Sequence, residues 1–252
     1  MSDSTSAVVE REREFHNARF MEEAREEVRS AQDKYYFAIR DCDVEYERLL
    51  QEYARDAVVL DYGCALGEYA LQVAPVAKAV YGIDISDVAI ETAREAAAKR
   101  GFDHVHFSAG DAHATGFEDN TFDLVFGIGI IHHLDTRRSL QEVARILKPG
   151  GLALFREPLG ANPIINMYRA ATPDARTVDE HPLVPADFRI ADELFTKNDW
   201  RFYGLSTLAS VPFRNSAVGE PLNRAAAALD RALFNVPGVK WQAWCALMKM
   251  TK

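Results

Sequence analysis

The spacing of apolar and polar positions changes twice along the chain. From about Val8 to Asp56, apolar residues recur at helical intervals among many Glu and Arg: Phe20, Ala24 and Val28, then Tyr35, Tyr36 and Ile39. Residues three or four apart share one helix face, so this segment predicts two or three amphipathic helices with their charges on the solvated side. From Ala57 short β-rich runs alternate with helical ones. Strands are expected at 57–62 (AVVLDY), 79–85 (AVYGIDI), 105–110 (VHFSAG), 122–129 (FDLVFGIG) and 152–157 (LALFRE), with helices at 67–73, 87–100 and 137–147 between them. That alternation predicts a doubly wound α/β domain around a parallel sheet. The KPGG of Lys148 to Gly151 ends the last of these helices, because Pro and Gly cannot continue it.

After Glu157 the alternation lapses for about thirty residues, a connection long enough to imply a function of its own. Its apolar Ile164, Ile165, Met167 and Tyr168 predict an ordered cap. A helix near 187–198, a strand at 200–208, a second insertion with a helix around 220–235, and a final strand at 241–250 complete the chain. The organisation expected is an N-terminal helical extension or lid over 1–56 and one domain over 57–252, with cap insertions at about 158–186 and 209–239.

Composition narrows the chemistry. The 252 residues are 48% hydrophobic and 27% charged, as in an ordinary globular protein, with a net charge of −9 and an isoelectric point near 5.3. An acidic chain lacks the cations that neutralise nucleic-acid phosphates, so no nucleic-acid partner is expected. Cys42, Cys64 and Cys245 are odd in number and scattered, which argues for a reducing compartment and against a disulfide framework or a CxxC metal site. The first residues lack a basic start followed by an apolar run. The apolar stretch late in the chain is broken by Asp230, Arg231, Pro237 and Gly238. The expectation is a cytoplasmic protein without a membrane span.

The first strand runs into Asp61-Tyr-Gly63-Cys-Ala65-Leu-Gly67. In parallel sheets ligands bind at the carboxyl ends of the strands, and the first strand-to-helix turn meets the nucleotide. A dinucleotide turn would need glycines at 63, 65 and 68; here those positions hold Gly63, Ala65 and Glu68. Carboxylates at 61 and 68 would repel a pyrophosphate and favour a ligand that carries positive charge. The second strand ends at Asp84 followed by Ile85, and a carboxylate there can accept from both ribose hydroxyls. After the third strand, Asp111 can accept from an adenine amino group while the Ala112 backbone meets the ring.

Together with the run from Phe117 to Gly151, these features resemble the class I methyltransferases that use S-adenosylmethionine, of the small-molecule type. The resemblance covers about residues 57–157 well and the final strands loosely. Its one departure is Ala65 at the middle glycine of the D/E-x-G-x-G-x-G turn. It implies a Rossmann-like seven-stranded sheet in the order 3-2-1-4-5-7-6 with the last strand antiparallel. The implied cofactor site comprises Asp61, Gly63, Ala65, Gly67, Asp84, Ile85, Asp111, Ala112 and Gly127, with S-adenosylhomocysteine as product.

The sulfonium methyl is intrinsically electrophilic, so the protein mainly has to align an acceptor and exclude water. A base is needed for a hydroxyl acceptor. His132 and His133 follow the fourth strand and Glu157 ends the fifth, which makes them the catalytic candidates. Tyr35, Tyr36, Met167, Tyr168, His181 and Phe213 are the candidates for lining the substrate, since the helical extension and insertions must enclose it. Their apolar character suggests a small, fairly apolar substrate, with O-methylation preferred for the paired histidines. His104, His106 and His113 lie at edges of the third strand, and no metal is expected. Two alternatives stand beside this reading: a cyclisation or rearrangement enzyme of the same fold that transfers no methyl, and a cofactor-binding module without chemistry. The N-terminal helices and the cap also offer surfaces through which two copies could pair.

Overall fold

The computed structural model describes residues 2–20, 22–170 and 180–252, with side chains from residue 10 onward except at 19, 22–35 and 168. Seven strands form one sheet in the order β3-β2-β1-β4-β5-β7-β6. They are β1 (Val58–Tyr62), β2 (Ala79–Asp84), β3 (Val105–Ala109), β4 (Phe122–Ile128), β5 (Leu147–Pro158), β6 (Lys197–Tyr203) and β7 (Cys245–Thr251). The first five run parallel, and β7 inserts antiparallel between β5 and β6, pairing Phe155 with Met248 and Trp200 with Met248.

Side chains alternate across the sheet, and each face is buried by helices. Val59, Leu124 and Leu154 point to one face, where α2 (Glu22–Ala54), α3 (Glu68–Val73) and α4 (Asp87–Arg100) supply Tyr46, Leu50, Leu71 and Ile90. Leu60, Val125 and Phe155 point to the other face, against Leu140 and Val143 of α5 (Thr136–Ile146) and Phe188 of α7 (Pro185–Leu194). This is the period-2 pattern of a sheet covered on both sides. Local signals start and stop the helices. Ser86 caps α4 by accepting from the Ala89 N–H at 3.1 Å, and Asp135 caps α5 by accepting from the Arg138 N–H at 2.9 Å.

The N-terminal segment forms two helices, α1 (Ser2–Phe20) and the 33-residue α2. The second half of α2 buries Cys42, Tyr46, Leu49, Leu50 and Ala54 within the sheet's own core, so the boundary expected near residue 57 separates no independent unit. The KPGG does not form a separate turn. It lies inside β5 as a bulge, between the pairings Phe122 with Leu147 and Leu124 with Leu152. The strand expected at 200–208 ends at Tyr203, where Gly204 takes a left-handed φ of 85° and a 3-10 turn runs over Ser206–Phe213.

The first insertion contributes α6 (Pro163–Ala170), which buries Ile165 but leaves Ile164 and Met167 each 73% exposed. The second contributes α8 (Gly219–Leu233), which leans on the outer side of α2. Asn223 donates to the Phe37 carbonyl at 3.1 Å, and Glu220 pairs with Arg40. No helix among the described residues is long and apolar enough to cross a membrane.

Candidate active site

A cavity of about 750 Å³ opens at the carboxyl ends of β1, β2, β4 and β5 and is roofed by α1 and α2. Its volume lies in the range of ligand pockets. Among the described residues, Glu12, Asp43, Glu47, Asp61, Glu68, Asp84 and Asp111 line it against one arginine, Arg156. That balance suits a cationic ligand.

The first turn explains why this loop is no phosphate cradle. Gly63 and Cys64 donate their N–H groups to the Ile83 carbonyl, both at 2.9 Å, Ala65 donates to Asp84 Oδ2 at 2.8 Å, and Gly67 donates to the Cys64 carbonyl at 2.8 Å. Anion binding at a helix N-terminus needs backbone N–H groups aimed at the ligand. Here these four are spent within the protein, and what faces the cavity is carboxylate. Asp84 Oδ1 also accepts from the Ser86 N–H at 2.9 Å, which fixes the carboxylate while leaving lone pairs for a diol. Just past β3, the neighbour of β2, Asp111 Oδ1 accepts from the backbone and Nδ1 of His113, both at 2.8 Å, and His113 Nε2 accepts from the Asp135 N–H at 3.0 Å. His113 thereby holds the Asp111 carboxyl below its usual range. Of the residues expected to hold a cofactor, Gly63, Ala65, Asp61, Asp84, Ile85, Asp111 and Ala112 line the cavity.

Two expected cofactor residues do not line it. A Cβ on Gly67 would stand 2.6 Å from the Phe107 ring, so this glycine, at φ 75°, is there for packing; its neighbour Leu66 lines the cavity. Gly127 is wedged between the Tyr62 carbonyl and Phe155, and Ile128, Gly129 and Ile130 line the cavity in its stead. Ala65 sits at φ 45°, in the left-handed region. That conformation costs a non-glycine residue about 1 kcal/mol, and glycine would loosen the unfolded chain by a similar amount. Ala65→Gly is therefore expected to move the thermal midpoint by no more than roughly 4 °C and to leave cofactor affinity within about twofold. A tenfold gain in affinity would show that the methyl obstructs the ligand.

Burial pushes the Asp61 carboxyl up to about 8, opposed by the Ala70 N–H and reinforced by Asp84. The folded state thus holds a proton that the unfolded chain releases near 3.8. The stability this contributes is complete below the lower value and is lost as pH rises through about 8. A cation in the cavity favours the ionised form, so binding is expected to release close to one proton at about pH 7 and almost none by about pH 9.5. Calorimetry in buffers of different ionisation enthalpy reads this directly, and no proton release at neutral pH would contradict it.

The catalytic candidates separate. Glu157 is fully buried and accepts from the Ile130 and Ile131 N–H groups, both at 2.9 Å, while its Oε2 pairs with His132 Nδ1 at 2.8 Å. The His132 carbonyl in turn accepts from the His181 N–H at 2.6 Å. Neither Glu157 nor His132 lines the cavity; they are a bracket that shapes the turn Ile131–His133. The turn delivers His133, which does line it. Side chains alternate along β5, so Arg156, one residue before Glu157, faces the cavity side. There it pairs with Asp43 at 2.6 Å and lies 5.3 Å from the centre of the Tyr36 ring.

The substrate-lining expectations are mostly displaced. Tyr36 lines the cavity, whereas Met167, Phe213 and His181 do not: Met167 and Phe213 are 73% and 46% exposed, and His181 faces Asp187 at 3.3 Å. The side chains of Tyr35 and Tyr168 lie outside the described residues. Glu12, His16 and Phe20 of α1 take their place. Their four-residue spacing puts them on one helix face, a signal that was present in the sequence.

Residues 60–155 match a family model described as a methyltransferase domain. An uncharacterized methyltransferase of Bacillus subtilis, YcgJ, is 35% identical over 98 residues, 38% of this chain and 39% of that protein. Its crystal structure superposes with a TM-score of 0.59 at 21% identity, covering 82% of this chain and 98% of the other. The O-methyltransferase cnsE of Penicillium expansum is 33% identical over 137 residues, 51% of this chain and 47% of that protein. The crystal structure of the [4+2]-cyclase SpnF superposes with a TM-score of 0.56 at 21% identity, covering 82% of this chain and 79% of SpnF. The matched segments thus span less than half the length of these two curated relatives. The sheet order is that of class I methyltransferases, and β5 to β7 follow the topology that the sequence resemblance implied.

Proposed function

We propose, from a chain whose residues 60–155 match the model of a methyltransferase domain, that the cavity binds S-adenosylmethionine and that the protein transfers its methyl group to a small molecule. When bound, S-adenosylmethionine supplies an electrophilic sulfonium methyl. The observation that carries the reading is one cavity lined both by the carboxyl groups of Asp61, Asp84 and Asp111 and by Tyr36, His133 and Arg156. Asp84 and Asp111 would hold the ribose and adenine, with the inward-turned loop amides favouring a cation over a phosphate.

Phe20, Ile130 and Leu134 give the cavity apolar walls, and the Arg156–Asp43 pair gives it a polar contact. Such a lining fits a fairly apolar molecule that carries a polar group. His133, the histidine that the turn presents to the cavity, supports a hydroxyl acceptor, because a hydroxyl has to lose its proton during transfer. The sheet of the [4+2]-cyclase supports a second reading, in which the bound cofactor assists a cyclisation without giving up its methyl.

Product analysis separates the two readings. Incubation with S-adenosylmethionine and a panel of small hydroxylated aromatic and polyketide-like molecules is expected to yield S-adenosylhomocysteine in step with a methylated product. Conversion of an acceptor with no S-adenosylhomocysteine formed would overturn methyl transfer in favour of the cyclase reading.

A further inference from the structure

The roof of the cavity gathers a group of metal-ligand type from segments far apart in sequence. Glu12 and His16 stand one turn apart on α1, and His133 comes from the turn after β4. Glu12 Oε2 lies 3.4 Å from His16 Nε2 and 3.5 Å from His133 Nδ1. The Glu12 and His133 side chains are each 10% exposed, and His133 Nδ1 is buried with no hydrogen-bond partner among the described residues.

These separations are informative because the same protein shows what a direct histidine–carboxylate hydrogen bond looks like. His132 with Glu157 and His113 with Asp111 both close to 2.8 Å. The Glu12 group stays wider by more than half an ångström. Two ligands on one ion, each bonded at about 2.0–2.2 Å with near-tetrahedral angles, stand roughly 3.3–3.6 Å apart. The spacing is thus that of ligands around a shared centre. His133 Nε2 lies 3.9 Å from Glu180 Oε1, wider than a hydrogen bond, in reach of the carboxylate that would close on it once an ion on Nδ1 makes Nε2 the donor. His132 lies close by, but its Nδ1 is committed to Glu157.

We propose that Glu12, His16 and His133 bind one divalent transition ion of the zinc class, with Glu180 orienting His133. Two imidazoles and one carboxylate leave coordination positions open, and these face the cavity. An oxygen of the bound small molecule would take one of them, which ties α1 to the substrate; with the ion bound, His133 is a ligand and no longer a free base, and a hydroxyl acceptor would be made more acidic by the ion itself. That last role rests on the methyl-transfer reading; ion binding does not. The expectation of no metal came from the spacing of histidines around β3 and missed this group, because its members become neighbours only when α1 folds across the sheet edge.

The test uses the full chain, stripped with a chelator and titrated with Co²⁺ by visible absorption and with Zn²⁺ by competition. One equivalent is expected, with the intense d–d bands of a low-coordinate nitrogen and oxygen site. Mg²⁺ at large excess is expected to leave the bands unchanged, since it prefers oxygen ligands in an octahedron. His16→Asn and Glu12→Gln should each weaken binding at least about a hundredfold, while His104→Ala, removing a ring that bonds the Ala74 carbonyl at the amino edge of the sheet, should not. Wild-type protein that binds no ion, or folded His16→Asn and Glu12→Gln proteins that bind as tightly as wild type, would overturn the site. S-adenosylmethionine is titrated in the same samples. Cofactor binding without an ion overturns this inference alone, whereas ion binding without the cofactor overturns the proposed function alone.

Discussion

Asp84→Asn is expected to weaken S-adenosylmethionine binding about a hundredfold or more while leaving the protein folded. The carboxylate is fixed at the end of β2 by the Ala65 and Ser86 N–H groups, at 2.8 and 2.9 Å, and it lines the cavity. Hydrogen bonds to a charged acceptor contribute about 1.5–3 kcal/mol each. Losing the charge under two ribose hydroxyls costs about 3 kcal/mol or more, and each ~1.4 kcal/mol is tenfold in affinity. The amide keeps one oxygen to accept a backbone N–H, so the loss of binding exceeds the loss of stability. Burial already raises the Asp84 pKa, a cost that a bound cation relieves. Equal affinity in the variant and the wild type, measured by ligand-dependent fluorescence, would remove Asp84 from the site.

Glu157→Ala is expected to act on the fold. Its carboxylate gathers the N–H groups of Ile130 and Ile131 and the His132 ring with no solvent access. Truncation leaves those donors buried and unsatisfied, at about 1–3 kcal/mol apiece, so a total near 4 kcal/mol is expected, within the range for breaking a buried pair. For a chain of this size that lowers the thermal midpoint by roughly 8–16 °C. A residue that served only to contact substrate would do the reverse, raising KM with the midpoint unchanged. Differential scanning calorimetry decides between the two, and an unshifted midpoint would return Glu157 to the substrate.

The difference between these two residues shows what the sequence could carry. The alternation of strands and helices, the terminal Asp84 and the turn from Asp61 to Gly67 are local patterns, and local patterns were legible. The sheet order followed from the resemblance, and the turn's acidity pointed to a cation before its amides were seen to be engaged. Which face of β5 meets the cavity was not legible. One step of the strand exchanges Arg156 for Glu157, and no local signal says which parity faces inward. The choice of Tyr36 but not Met167 or Phe213 depends on where α2, α6 and the 206–213 turn lie relative to the sheet. Glu12, His16 and Phe20 were marked by their spacing, but only the packing of α1 over the cavity gives that face its meaning.

An acidic cavity at the carboxyl edge of the sheet that holds a sulfonium cofactor has to prefer it to a pyrophosphate; one titration reads that preference. Isothermal titration of the full chain with S-adenosylmethionine, and in parallel with NAD as a pyrophosphate-bearing ligand, tests it most directly. S-adenosylmethionine is expected to fill a single saturable site, lost in Asp84→Asn, and NAD to give no heat of binding. Saturable binding of NAD with none of S-adenosylmethionine would contradict it.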